Sequence, residues 1–228
     1  MRLAICIVLS VVLSVLASST AAPPPSATAH QRHKDFGQRA VHLFGAFDGW
    51  DLTRSDSYRQ QIAVESSSLL KGYGQFPPTE WALANPKMIE AWQEAMHSYE
   101  KASPSVENSR SALVGALKVS GYPAGTAEFL ELRGAAKLIR ELDESRRREL
   151  RSELLDLLQR RREAFAAARS PLMPPAERAE FVSRLDKLHH DMAATIDLPG
   201  AIGAEVSDAQ HAQFPWFHSL DRLELLQK

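Results

Sequence analysis

The chain has 228 residues, of which 27 are basic and 28 are acidic, so its formal net charge is −1 at neutral pH. Such a balance gives no overall field to attract nucleic acid or an acidic membrane surface, and we expect neither as a partner. The only cysteine is Cys6, so a domain that follows it has no disulfide and must be stabilised by an apolar core.

The first 21 residues are predicted to form a secretory signal peptide. Arg2 is followed by an apolar run and then by small residues, which is the order of a cleaved signal. The run covers about 15 residues, fewer than the roughly 20 that a membrane-spanning helix needs. We expect cleavage after Ala21, no stable membrane anchor afterwards, and export to the periplasm or the exterior. Because arginine and alanine are abundant, we expect a bacterial source.

Residues 22–34 include three consecutive prolines and few apolar side chains, which predicts a disordered tether. Residues 35–228 are predicted to be a single helical domain, because apolar residues recur at three- and four-residue intervals without strand-like alternation. The fold class is therefore all-α, an irregular bundle of seven or eight helices. A subdivision near residues 121–125, where glycine and proline interrupt the pattern, is an open alternative.

Along the chain, the first helix is predicted from Asp35 to a turn-rich, glycine-containing loop at residues 45–51, and a second helix covers residues 56–71. Two later helix starts are marked by a capping side chain followed by proline, at Asn85-Pro86 and Ser103-Pro104. The helix after Asn85 has an apolar face that is formed by Met88, Ile89, Trp92, Ala95, Met96 and Tyr99.

A long helix or a helical hairpin is predicted within residues 126–196. Residues 126–169 lack proline, so they form either one helix or two helices with a bend near Asp143, which is well placed as a cap. A helix over residues 176–196 is expected to pack antiparallel against the preceding one. A last helix is predicted after Phe214.

Eight arginines and seven carboxylates lie within residues 140–163. Acidic residues precede arginines by four positions in pairs that are typical of an exposed helix face. These pairs are Asp143/Arg147, Glu144/Arg148 and Asp156/Arg160. We interpret the segment as a solvated, salt-bridged face, with a polyanion site as the alternative.

Two predicted helices carry a carboxylate and a histidine three residues apart, a spacing that di-metal helical bundles use. The pairs are Glu94/His97 and Asp186/His189. Trp92 and Met96 occupy the apolar face of the first helix, which places Glu94 and His97 at its edge and disfavours a metal site between helices. No glycine motif for phosphate binding occurs, so we expect no cofactor.

Large aromatic residues beside predicted loops are the positive indication of a binding surface. The candidates are Phe47, Trp50, Trp216 and Phe217, unless these rings close the core over helix ends. We expect an exported, non-enzymatic protein that binds another protein, as a chaperone, inhibitor, immunity factor or adaptor. One alternative is a hydrolytic or metal-dependent enzyme with a site between helices, for which the sequence identifies no catalytic residue, and a further alternative is a protein that binds surface lipid or peptidoglycan. The sequence does not indicate an oligomeric state.

Overall fold

The structure is a computed structural model that describes residues 29–200. Over this range the chain forms nine α-helices and no strand, which confirms the all-α fold. The predicted signal peptide, the tether before Ala29 and the predicted last helix lie outside the described residues. In the part of the chain that is described, none of the helices is both long and apolar enough to cross a membrane.

The helices follow one another through short connections. They are α1 (Ala29–Thr53), α2 (Asp56–Tyr73), α3 (Glu80–Leu83), α4 (Pro86–Lys101), α5 (Val106–Val119), α6 (Thr126–Glu141), α7 (Glu144–Glu149), α8 (Arg151–Arg169) and α9 (Pro175–Ile196). Their number exceeds the predicted seven or eight because α3 is a single turn and α7 is a separate short helix. Side chains cap both, since Thr79 accepts from the Ala82 N–H and Asp143 accepts from the Arg146 N–H.

Helix α1 is longer at both ends than the sequence predicts. Its first residues, 29–34, fall in the predicted tether, and tertiary contacts hold the helix at Arg32 and His33. The Tyr73 hydroxyl donates to the Arg32 carbonyl at 2.8 Å, and the Tyr122 hydroxyl donates to the His33 carbonyl at 3.1 Å. The Arg32 guanidinium also lies over the Tyr73 ring. The tether prediction is therefore wrong for residues 29–34.

The predicted loop at residues 45–51 is also part of α1. Its two glycines serve close packing rather than a turn. A Cβ atom at Gly45 would lie 3.0 Å from the Gly134 carbonyl oxygen, and one at Gly49 would lie 2.5 Å from the Tyr58 ring. Helix α1 therefore continues to Thr53 and packs its glycines against α6 and α2.

Residues 126–169 form three helices instead of one rod. Helix α6 ends at Glu141, and Asp143 caps α7 as the sequence predicts. Helices α8 and α9 are antiparallel, because the Phe165 and Phe181 rings are 5.4 Å apart near the connection while Arg151 binds Asp197 at the opposite end. The predicted hairpin is confirmed for α8 and α9.

The buried side chains form two groups. The aromatic cluster belongs mainly to α1, α2, α4 and α5 and includes Phe36, Phe44, Phe47, Tyr73 and Trp92. The leucine cluster belongs to the helices from α6 to α9 and includes Leu132, Leu138, Leu154, Leu158 and Leu185. Helices α1 and α6 join the two clusters, since Leu130 of α6 packs in the aromatic cluster and Leu52 of α1 packs against the leucine cluster.

Candidate functional site

Two of the four predicted aromatic anchors lie in α1. Phe47 is buried in the aromatic cluster, so its assignment as an exposed anchor is wrong. It faces inward because the predicted loop at this position is helix. Trp50 is half-buried, and the Arg54 guanidinium lies 5.5 Å from its ring centroid. Trp216 and Phe217 lie outside the described residues.

The four candidate metal ligands do not come together in residues 29–200, where no group of three or more His, Cys, Asp or Glu side chains could hold a metal ion. Glu94 and His97 are exposed on α4. Asp186 forms an ion pair with Arg162 of α8. His189 is half-buried, and its pKa lies below the usual value because of burial and, to a smaller extent, the charge of Arg162.

A groove runs between α2, α4 and α5. It consists of two adjoining concavities of about 360 Å³ and 310 Å³, which share Lys71, Tyr99 and Glu100. The first is also lined by Leu70, Gly74, Gln75, Gln93, Met96 and His97. The second is also lined by Arg59, Ile62, Ala63 and Ser67 and by residues 102–106 and 108–109. We call this surface the α2–α4–α5 groove.

The floor of the groove is apolar and preformed. Ile62, Leu70, Met96 and Val106 are buried members of the aromatic cluster whose surfaces line the two concavities. Because these side chains are already packed, a ligand would meet an ordered apolar surface and little would need to rearrange on binding.

A hydroxyl cluster fixes the side of the groove at Tyr99. Ser66 is fully buried and donates to the Ile62 carbonyl at 2.6 Å. Its oxygen lies 3.2 Å from the Tyr99 hydroxyl and 3.2 Å from the Ser109 hydroxyl. The cluster thereby links α2, α4 and α5, and it holds Tyr99 at the junction of the two concavities.

Two local features shape the ends of the groove. Gly74 ends α2 with φ of 57°, a left-handed conformation that glycine adopts without strain, and its carbonyl accepts from the Trp92 indole N–H at 3.0 Å. Between α4 and α5, the Ser105 hydroxyl caps α5 by accepting from the Asn108 N–H, and the Asn108 amide donates to the Ser103 carbonyl. Helix α5 therefore begins two residues after the predicted start at Pro104.

The charges at the middle of the groove are available to a ligand. Lys71 and Glu100 are exposed, and neither side chain forms a hydrogen bond or an ion pair with any residue in 29–200. Arg59, at one end, is paired with Asp56 of its own helix at 2.9 Å. The groove thus combines an apolar floor with one basic and one acidic group that have no partner in the described chain.

A second polar arrangement surrounds the buried Asp48 carboxylate, with Arg161 and Glu131 half-buried beside it. Arg161 of α8 donates to Asp48 of α1 at 2.6 Å and is also paired with Glu131 of α6. We call these three residues the buried charge cluster. Burial raises the pKa of Asp48 to about 6, against the opposing effect of the Arg161 charge, and burial also raises the pKa of Glu131. Its members line neither concavity of the groove.

Arg147 is fully buried, in contrast to the exposed face that the sequence predicts. Its guanidinium donates to the carbonyls of Leu142, Ile196, Leu198 and Gly200 at 2.5, 3.4, 2.8 and 2.7 Å. The interpretation of the arginine-rich segment as solvated is therefore wrong for Arg147, because the ends of α6 and α9 surround this side chain.

The other two acid-first pairs lie at the surface. Glu144 and Arg148 form the predicted ion pair. Arg160 instead donates to the Asp156 carbonyl of the main chain at 3.3 Å.

Comparisons of the chain with protein-family models, with curated proteins and with solved structures find no match.

Proposed function

We propose that this is an exported, non-enzymatic protein that binds another protein, and that the α2–α4–α5 groove receives a segment of that partner. The observation that carries the proposal is a packed apolar floor beside the charges of Lys71 and Glu100, which have no partner within residues 29–200. Export rests on the sequence of residues 1–21. No observation in residues 29–200 specifically favours the enzymatic alternative.

The length of the groove suits a peptide segment. Along α2 its lining extends from Arg59 to Lys71, which corresponds to about 18 Å at 1.5 Å per helical residue. An extended peptide of about five or six residues, or about three turns of a helix, has this length. Proteins commonly bind such segments in grooves with apolar floors and polar rims.

The lining chemistry defines the kind of segment. Apolar side chains of the partner would cover Met96 and Val106, the most accessible of the four floor residues, and oppositely charged side chains would pair with Lys71 and Glu100. Because both charges are exposed, they contribute more to orientation and specificity than to affinity. We therefore infer an amphipathic partner segment with an acidic and a basic residue flanking its apolar side chains.

The proposal is tested by affinity capture with immobilised residues 22–228 and an envelope extract of the source organism. Ala63→Arg places a long charged side chain on the groove wall, at an exposed position where it does not disturb the core. We expect the partner retained by the wild type to fall at least tenfold on Ala63→Arg, because the side chain occupies its site. Quantitative mass spectrometry of the eluate measures this fall.

Matched controls separate the groove from general surface effects. Val64 is the next residue of α2, is 69% exposed and lines neither concavity, so Val64→Arg should retain the partner. Lys71→Glu should weaken capture more than Lys87→Glu, an exposed charge reversal on α4. Equal retention by Ala63→Arg and the wild type, with both folded by circular dichroism, would show that the groove does not bind the partner.

A further inference from the structure

The buried charge cluster lies where the two core clusters are joined. Asp48 belongs to α1, whose side chains form much of the aromatic cluster, and Arg161 belongs to α8 of the leucine cluster. Their 2.6 Å ion pair is therefore a direct polar link between the two halves of the core. Helix α6 packs against both α1 and α8, so a change in the charge of this pair acts where α6 joins the two helices.

The two carboxylate oxygens of Asp48 have different surroundings. Only 1% of the residue is exposed, and only its Oδ1 atom is bonded, to Arg161. The Oδ2 atom is buried and has no hydrogen-bond partner among the described residues. Because Glu131 is paired with the same guanidinium, two carboxylates share one cation. One negative charge of the cluster is therefore poorly compensated.

The charged groups that face this site come from four helices. Glu131 and Glu128 lie on α6, Asp51 lies on α1, Arg110 lies on α5, and Arg161 lies on α8. Arg110 is bonded to Asp51 at 2.7 Å and to the Phe47 carbonyl at 3.4 Å, so part of its charge is already compensated. The nearby cations therefore do not offset burial and the charge of Glu131, and the pKa of Asp48 stays raised.

We propose that Asp48 is an internal proton-binding group, and that its protonation under mildly acidic conditions stabilises the folded chain. The proton binds at the unpartnered Oδ2 atom, while Arg161 keeps Glu131 as its charged partner. Asp48 binds a proton more tightly in the folded chain than in the unfolded chain, where its pKa is near 3.8. The stabilisation therefore grows as pH falls from about 6 towards 4 and is absent well above pH 6.

A carbon-13 NMR titration of aspartate carboxyl groups in residues 22–228 tests the proposal. We expect one resonance with a midpoint near pH 6, absent in Asp48→Asn. In Glu131→Gln the same midpoint should fall, because a like charge is removed, whereas the exposed substitution Asp56→Asn should leave it unchanged. Titration of every aspartate below about pH 5 would overturn the proposal.

Urea unfolding between pH 7 and pH 4.5 gives a second readout. The pH dependence of the wild type should exceed that of Asp48→Asn, with the unfolding equilibrium constant falling by up to about tenfold more per pH unit between pH 6 and pH 4.5. If Asp48→Asn does not fold, the wild type can be compared with Glu131→Gln instead. In Glu131→Gln the fall of the unfolding equilibrium constant should begin at a lower pH than in the wild type. Identical pH dependence in all three proteins would contradict proton binding at Asp48.

Discussion

Arg147 and Arg161 are both inward-facing arginines, but the structure compensates their charges in different ways. Arg147 is bonded to main-chain carbonyls at the ends of α6 and α9, which do not titrate. Arg161 is bonded to the carboxylates of Asp48 and Glu131, which do. A buried cation held by helix-end carbonyls should therefore act independently of pH, whereas one held by carboxylates makes the fold sensitive to pH.

Replacing Arg147 should have the largest effect on stability. Arg147→Met removes the donor to four carbonyls, at the ends of α6 and α9 and in the segment that follows α9, and leaves them poorly satisfied. We expect the free energy of unfolding to fall by about 3–5 kcal/mol. The loss should be the same at pH 7 and pH 5.5, since no carboxylate takes part in these bonds. Urea denaturation followed by circular dichroism measures both quantities.

The neighbouring arginine provides the control for this prediction. Arg148 is exposed and paired with Glu144 at the surface, so Arg148→Met should change the unfolding free energy by less than about 1 kcal/mol. Equal losses of unfolding free energy in the two variants would show that Arg147 is not the buried residue among the three arginines at positions 146–148. A loss in Arg147→Met that depends on pH would remove the distinction between Arg147 and Arg161.

A smaller effect is expected at the contact between α1 and α6, which brings Asp48 and Glu131 close to Arg161. A Cβ atom at Gly134 would lie 2.6 Å from the Phe44 Cβ and 2.7 Å from the Gly45 nitrogen. Because the main chain cannot yield easily, Gly134→Ala should reduce the unfolding free energy by about 1–3 kcal/mol. Thermal unfolding detects this as a lower melting temperature.

Gly115→Ala is a matched substitution for which we expect the opposite effect on the unfolding free energy. It also lies within a helix, but a Cβ atom there would meet nothing within 4 Å. Gly115→Ala should therefore stabilise the protein by about 0.5–1 kcal/mol, because alanine favours the helix. Stabilisation by both substitutions would mean that α1 and α6 are not in close contact at Gly134.

Two helix starts, those of α4 and α7, could be predicted from the sequence because their signals are local. Asn85 caps α4 and Asp143 caps α7 through their own side chains, as expected. The glycines of α1 do not identify its end, since glycine is equally compatible with a turn and with the close packing of two helices. Phe47 was misplaced for the same reason, because the predicted loop would have exposed it.

The burial of Arg147 and the formation of the groove both depend on contacts between distant parts of the chain. The spacing of Asp143 and Arg147 satisfies the rule for an exposed ion pair, and only the positions of α6 and α9 show that Arg147 is enclosed. The groove likewise unites residues of α2, α4 and α5, whose individual patterns are ordinary amphipathic helices. Neither the residues that line the groove nor those of the buried charge cluster can be recognised from the sequence of a single helix.

Hydrogen–deuterium exchange of residues 22–228, alone and with the captured partner, tests the proposed function most directly. We predict slower exchange in residues 59–71 and 97–109, which line the groove, and unchanged exchange in α8 and α9. Protection confined to α8 and α9, with the groove peptides unchanged, would contradict binding of a partner segment between α2, α4 and α5.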